Sequence, residues 1–164
     1  MDAPVFPPRP THLEHSHVDY LSNPPLLIPS FVTVRKVFMS IPEDAPNQDL
    51  VYSFKNEEYI EKVKKLKPGE SVYDYGDSHR KLDWNKPAFT IKENHGSIAI
   101  HPEEIRMINL REAAALQDFP HEYEFVGNNK DIAKIIGNGV PRSMARAVAI
   151  EIMKVMINAN VHQR

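Results

Sequence analysis

Residues 109–120 read NLREAAALQDFP, and the rest of the chain is parsed around them. Asn109 followed three residues later by Glu112 is the spacing of a capping box. In that arrangement each side chain closes a backbone N–H that a helix start leaves without a partner. Ala113, Ala114, Ala115 and Leu116 then favour the helical state. Pro120 cannot continue it, so the pattern predicts a helix ending near Asp118.

Working toward the C-terminus, Asn128 predicts a second helix that runs through Ile136 and closes at Gly137. Pro141 suits the first turn of a last helix. Along that helix Met144, Val148, Ile152, Val155 and Met156 recur at three- to four-residue steps. Ala145, Ala149, Ile150 and Met153 widen its apolar face further than a small lone fragment covers. This is a first sign that the chain is half of something.

Working toward the N-terminus, Ser97–Ile100 (SIAI) and Ala88–Ile91 (AFTI) read as short strands in a turn-rich stretch. Residues 56–66 (NEEYIEKVKKL) read as a helix with Asn56 as N-cap. Glu57 and Glu58 lie in its first turn, Lys64, Lys65 and Lys67 toward its end, and Tyr59, Val63 and Leu66 form its stripe. Pro68-Gly69 stops it. Residues 31–41 (FVTVRKVFMSI) allow a short helix capped by Thr33 or a β-branched strand. Nine of the 14 prolines fall in the first 46 residues, which predicts an extended arm or linker there. The expected class is α+β. A proline-rich arm covers 1–30, a mixed region with short strands 31–108, and a helical segment 109–164.

Composition excludes several chemistries. The 164 residues are 41% hydrophobic and 26% charged, which suits a folded domain. Such a domain buries roughly 70% of its unfolded surface. The 20 basic and 22 acidic residues give a formal charge of -2, so any attraction to nucleic acid is local. There are no cysteines, which excludes disulfides, thiolate metal sites and a cysteine nucleophile from this chain. No apolar run nears the ~20 residues of a membrane span. The opening MDAP does not resemble a secretory leader, so the expected location is cytoplasmic, with no membrane partner.

Four clusters invite functional readings. His12, Glu14, His15, His17 and Asp19 carry zinc-compatible donors, but at no known compact spacing, and a solvated arm explains them as well. Lys55, Lys62, Lys64, Lys65 and Lys67 alternate with Glu57, Glu58 and Glu61, which suits a solvated helix face or phosphate contact. Arg80, Lys81, Lys86 and Lys92 surround Trp84, the lone tryptophan. That mixture fits a nucleic-acid surface or a half-buried strand with a packed Trp84. Residues 137–141 (GNGVP) form a turn opening onto a helix, where exposed N–H groups suit polar or anionic ligand atoms. Gly137 as a helix stop explains half of that turn without any ligand.

The order of these motifs resembles the C-terminal portion of the DNA cytosine-5 methyltransferases. KPAFTI (86–91), HPEEIR (101–106), LREAAALQDFP (110–120) and GNGVP (137–141) follow one another as that family's closing motifs do. The likeness is close over about 80–150. It extends loosely to FPPRPTH (6–12), which is similar to the segment after the family's arginine-rich block. The family's glycine-rich cofactor loop, Pro-Cys nucleophile and Glu-Asn-Val motif are absent. In that chemistry a cysteine thiolate adds to C6 of a flipped-out cytosine, a glutamate assists at N3, and S-adenosylmethionine supplies the methyl group.

The resemblance therefore implies the recognition half of such an enzyme, with Met1 just past the catalytic motifs. The Rossmann-like lobe, the nucleophile and a share of the cofactor site would come from a partner chain, as in the family's split members. Thr90 matches the family's threonine whose hydroxyl meets a phosphate beside the flipped base, and Arg80 lies where the family places a DNA-contacting arginine. Lys81 and Lys92 flank these, and the expected DNA-contact set is Arg80, Lys81, Thr90 and Lys92. Asn138, Gly139 and Val140 match the turn that closes the S-adenosylmethionine pocket. Gly139 stands where small residues are usual. Arg106, Arg111 and Glu112 look structural. Arg142 departs from a position that is often proline. Asn85 and Lys86 occupy positions that are often acidic and basic. No catalytic or metal-ligating residue is expected in this chain. The alternative is a non-catalytic remnant or regulator that binds DNA or a methyltransferase.

Overall fold

A computed structural model describes residues 31–49, 53–73, 79–92 and 99–161, with side chains as far as Ile157. The expected arm over 1–30, the His12–Asp19 cluster and the start of the SIAI segment lie outside these residues. Val32–Gly139 forms one unit, and the chain from Val140 onward belongs to a second.

Among the described residues the first unit contains four helices. α1 spans Val34–Phe38 and begins at Thr33, whose Oγ1 accepts from Lys36 N at 3.3 Å. The helical reading of 31–41 is thus the one adopted. Two more N–H groups of this helix start reach a loop: Val34 N donates to Lys86 O (2.9 Å) and Arg35 N to Trp84 O (3.1 Å). α2 spans Glu57–Lys65, with Asn56 Oδ1 accepting from Tyr59 N at 2.9 Å. Its Val63 is buried with Ile100 and Met107 in a small core ringed by Phe54, Tyr59, Leu66 and Val72. The Glu58–Lys62 and Glu61–Lys64 pairs lie on its exposed face and contribute little to stability.

α3 spans Leu110–Leu116 and carries the expected capping box. Asn109 Oδ1 accepts from Glu112 N (2.8 Å), and Glu112 Oε2 accepts from Asn109 N (2.7 Å). Leu110, Ala113 and Ala114 face the main core with Val34, Leu82, Ile91, Ile108 and Phe125, and with Ile132, Ala133 and Ile136 of α4 (Asn129–Asn138). Small side chains on α3 allow both neighbouring helices to approach it closely. The helix ends at Gln117, and Asp118 turns the chain with φ +62°.

Two expectations change here. α4 is capped by Asn128 as expected, but it continues past Gly137 to Asn138, and Gly139 follows as C-cap. The carbonyls of Ile136 and Gly139, at this helix end, accept from the Gln117 side chain. Ala88–Ile91 makes no strand pairing; the Ile91 carbonyl accepts from the same Gln117 amide. Among the described residues β structure is limited to isolated bridges, Ser71 with Arg80, Lys81 with Ile100, and Ile100 with Met107.

In the second unit α5 spans Arg142–Val161. Pro141 precedes it and its carbonyl accepts from Ala145 N at 3.0 Å, so its missing N–H costs nothing. Met144, Ile152, Val155 and Met156 are between 41% and 59% exposed, and Val148 is half-buried. Among the described residues no helix is long and apolar enough to cross a membrane.

Candidate functional site

The site is framed by three buried polar groups. Arg111 has no exposed surface. Its Nε donates to Pro46 O (2.7 Å), its Nη1 to Pro120 O (3.1 Å) and its Nη2 to Tyr123 O, so one guanidinium joins α3 to two loops. Asn47, beside it, exchanges two hydrogen bonds with the Phe125 backbone. Arg106 makes a bidentate pair with Glu112 at 2.8 Å on both arms, and the carboxylate hydrogen bond keeps that guanidinium firmly protonated. His101 is buried, and its Nδ1 accepts from the amides of Glu103 (3.2 Å) and Glu104 (2.9 Å). Its proton therefore sits on Nε2, facing Glu104 Oε1 and Glu112 Oε1 at 3.6 and 3.9 Å. Burial, and then the nearby Arg106 charge, hold its pKa below the usual 6.5. The expected structural roles of Arg106, Arg111 and Glu112 are visible in these contacts.

On one side of this frame lies the basic segment. The Arg80 guanidinium stands 5.6 Å from the centre of the Phe89 ring, which brings it to the segment that carries Thr90. That segment alternates: Phe89 and Ile91 pack on the core, whereas Thr90 and Lys92 are exposed. Thr90 and Lys92 are thus the two solvent-exposed residues at the end of this segment. Lys81 is half-buried, and its Nζ donates to Leu66 O (3.4 Å) just past the end of α2, where a cation suits the helix dipole. Arg80 follows His79, whose Nδ1 is hydrogen-bonded to the Tyr59 hydroxyl. Burial pushes the Tyr59 phenol up to about 12, so it stays neutral. Arg35 lies 5.2 Å above the Trp84 ring, and that ring packs edge-on to Phe38 and His101. Trp84 is thus half-buried and structural.

Close to the Ile91 end of this segment is the turn that ends α4. Asn138 is exposed, and Val140, which opens the second unit, is 61% exposed. Gly139 N donates to Ile136 O at 3.1 Å. An added Cβ at Gly139 would lie 2.9 Å from two Phe119 ring carbons and 3.1 Å from Ile136 O. Gly139 is therefore required by close approach, not by an unusual φ. Among the described residues no group of three or more His, Cys, Asp or Glu side chains is placed to hold a metal.

The two segments are joined by Gln117, which lies in the LREAAALQDFP stretch and was given no role of its own above. Its Nε2 lies 3.3 Å from Ile91 O, 3.1 Å from Ile136 O and 3.4 Å from Gly139 O. The sequence offers only a glutamine directly after Ala-Ala-Ala-Leu; its burial and its three acceptors come from the structure.

The chain is similar to several known proteins. Three relatives are type II methyltransferases or methylases by name. Type II methyltransferase M.AquIB of Picosynechococcus sp. is 37% identical over 105 residues, 55% of this chain and 76% of the relative. Type II methylase M.HgiDII of Herpetosiphon aurantiacus is 36% identical over 116 residues, 66% of this chain and 32% of the relative. Type II methyltransferase M.BbvI of Brevibacillus brevis is 26% identical over 164 aligned residues, 90% of this chain and 39% of the relative. The chain spans less than half the length of several relatives it matches. The family model for C-5 cytosine-specific DNA methylase matches residues 30–154, most of the chain, and the protein belongs to that family.

Proposed function

We propose that this chain is the target-recognition and C-terminal portion of a DNA (cytosine-5-)-methyltransferase. It works with a catalytic half, on a partner chain, that bears the Pro-Cys nucleophile. The carrying observation is the pairing of a family match over residues 30–154 with a sequence that has no cysteine. The addition to C6 of cytosine needs a thiolate, and this chain has none to offer. One relative supports the division: the match covers 76% of M.AquIB, against 32% of M.HgiDII and 39% of M.BbvI.

The roles follow from chemistry and position. Thr90 and Lys92 project outward beside Arg80 and meet the DNA backbone near the flipped cytosine. Arg80, whose flat fork suits guanine or phosphate, contributes recognition. Lys81 adds positive charge behind it. Asn138, Gly139 and Val140 close the S-adenosylmethionine pocket, whose remaining walls belong to the partner's Rossmann-like lobe. The bound cofactor supplies the methyl group, while this chain's turn shapes and shields its site. The apolar face of α5, with Met144, Val148, Ile152 and Val155, packs on the partner; each such side chain contributes ~1.5–3 kcal/mol when buried.

Binding of a duplex containing the target site by the reconstituted pair tests this reading. Arg80→Ala should weaken binding or relax specificity by ~1–3 kcal/mol. Thr90→Val should weaken positioning, and Lys64→Ala on the exposed face of α2 should matter less. A Lys64→Ala loss larger than that of Arg80→Ala, at equal folding, contradicts the assignment of the DNA face. A non-catalytic DNA-binding regulator is the second reading. Tight, sequence-specific binding by this chain alone, unchanged by any catalytic half, favours it.

A further inference from the structure

We propose that Gln117 is a positioning residue that couples the DNA-side segment to the cofactor-side turn, so that each ligand strengthens binding of the other. The inference rests on the roles proposed above for Thr90 and for Asn138-Gly139.

Gln117 is 9% exposed, and its single amide nitrogen reaches three carbonyls from two distant parts of the chain. One is Ile91 O, directly after Thr90. The others are Ile136 O and Gly139 O, on either side of the last residues of α4. An NH2 group has two protons, so the three contacts share them, and a shift of one segment changes the geometry at the other. The turn is held from a second direction as well. The Phe119 ring lies against Gly139 so closely that a Cβ would meet it at 2.9 Å. That ring packs in turn on Phe125, with centroids 5.1 Å apart. The turn is therefore clamped between Phe119 and the Gln117 amide, and the amide is the half of the clamp that also touches the Thr90 segment. A phosphate that fixes Thr90 would fix the Ile91 carbonyl, orient the amide and hold Gly139 O in place. Such coupling is reciprocal by thermodynamic necessity.

The test uses the reconstituted pair of chains and the product analogue S-adenosylhomocysteine, titrated with and without cognate duplex. In the unaltered protein the duplex should tighten analogue binding by about 5-fold or more, the low end of ordinary coupling. Gln117→Met keeps length and bulk but removes both donors, and it should bring that ratio close to one while each ligand alone still binds. A variant that weakens both ligands and leaves the ratio intact would mark a merely structural role and overturn the proposal. So would an unaltered protein with no coupling. Where Gln117→Met does not fold, hydrogen exchange on the unaltered pair decides. Duplex alone should slow exchange of the amides at 137–139, and an unchanged rate overturns the proposal. Failure of the duplex to bind at all, measured in the same titration, counts against the DNA role of the chain instead.

Discussion

Replacing Arg111 with methionine should be one of the most damaging single changes in this chain. Methionine fills much of the same space with no donors, so the effect isolates the hydrogen bonds. Three main-chain carbonyls, those of Pro46, Pro120 and Tyr123, lose their partner. A buried polar group left unsatisfied costs about 1–3 kcal/mol. Pro46 and Pro120 are half-buried and Tyr123 is 49% exposed, so water can reach these loops if they part slightly. The low end of that range therefore applies, and the sum is about 3–4 kcal/mol. Against an ordinary total of 5–15 kcal/mol this is a large share. Arg111→Lys retains one donor direction and should lose about half as much, because an ammonium cannot span three acceptors. Urea denaturation followed by circular dichroism reads the difference as a fall in midpoint at unchanged slope. An Arg111→Met protein within about 1 kcal/mol of the parent would refute the claim that this guanidinium joins the two loops to α3.

Other outcomes follow from the same contacts. Asn109→Ala removes half of the capping box and should cost about 0.5–2 kcal/mol in the same denaturation assay. His101 is held neutral below its ordinary 6.5, so the unfolded chain takes up its proton first. Stability should be full above about pH 6.5 and fall as pH drops below it, by at most about 1.4 kcal/mol per pH unit for one group. His79 is shifted the same way by burial, so His101→Gln should flatten melting temperature against pH only in part. Val148→Asp places a charge on the α5 face and should abolish assembly with the catalytic half, read by size-exclusion chromatography, with the helical signal retained. Loss of that signal in the isolated chain would mean the helix folds on its own chain. Asn138→Ala should leave assembly intact and weaken cofactor binding in the complex, whereas a lowered melting temperature at unchanged affinity would make it a turn cap only.

Most helix starts were legible because capping is local, although at Thr33 a strand fitted the sequence equally well. Thr33, Asn56, Asn109 and Asn128 all accept backbone N–H groups within three residues of themselves. Helix ends and strand pairing depend on distant groups, and those were not legible. Both the end of α4 and the Ala88–Ile91 segment are contacted by one side chain, Gln117, far from either in sequence. The candidate site divides the same way. Arg80 and Thr90 stand out as residue types, but only the Phe89 ring beneath the Arg80 guanidinium explains why they are neighbours. Lys81 looks equivalent to Arg80 in the sequence, yet its ammonium turns toward the Leu66 carbonyl. Arg111 was read as structural from its place in a motif, and its burial among carbonyls could not be inferred from neighbouring residues.

Methyl transfer itself tests the central claim most directly. Tritiated S-adenosylmethionine and duplex DNA are incubated with this chain alone, with a matching catalytic half alone, and with the two mixed. The expected result is label on cytosine C5 in the mixture only, lost when the partner's Pro-Cys cysteine is changed to serine. Label transferred by this chain alone, in a preparation free of host enzyme, would contradict the division of labour.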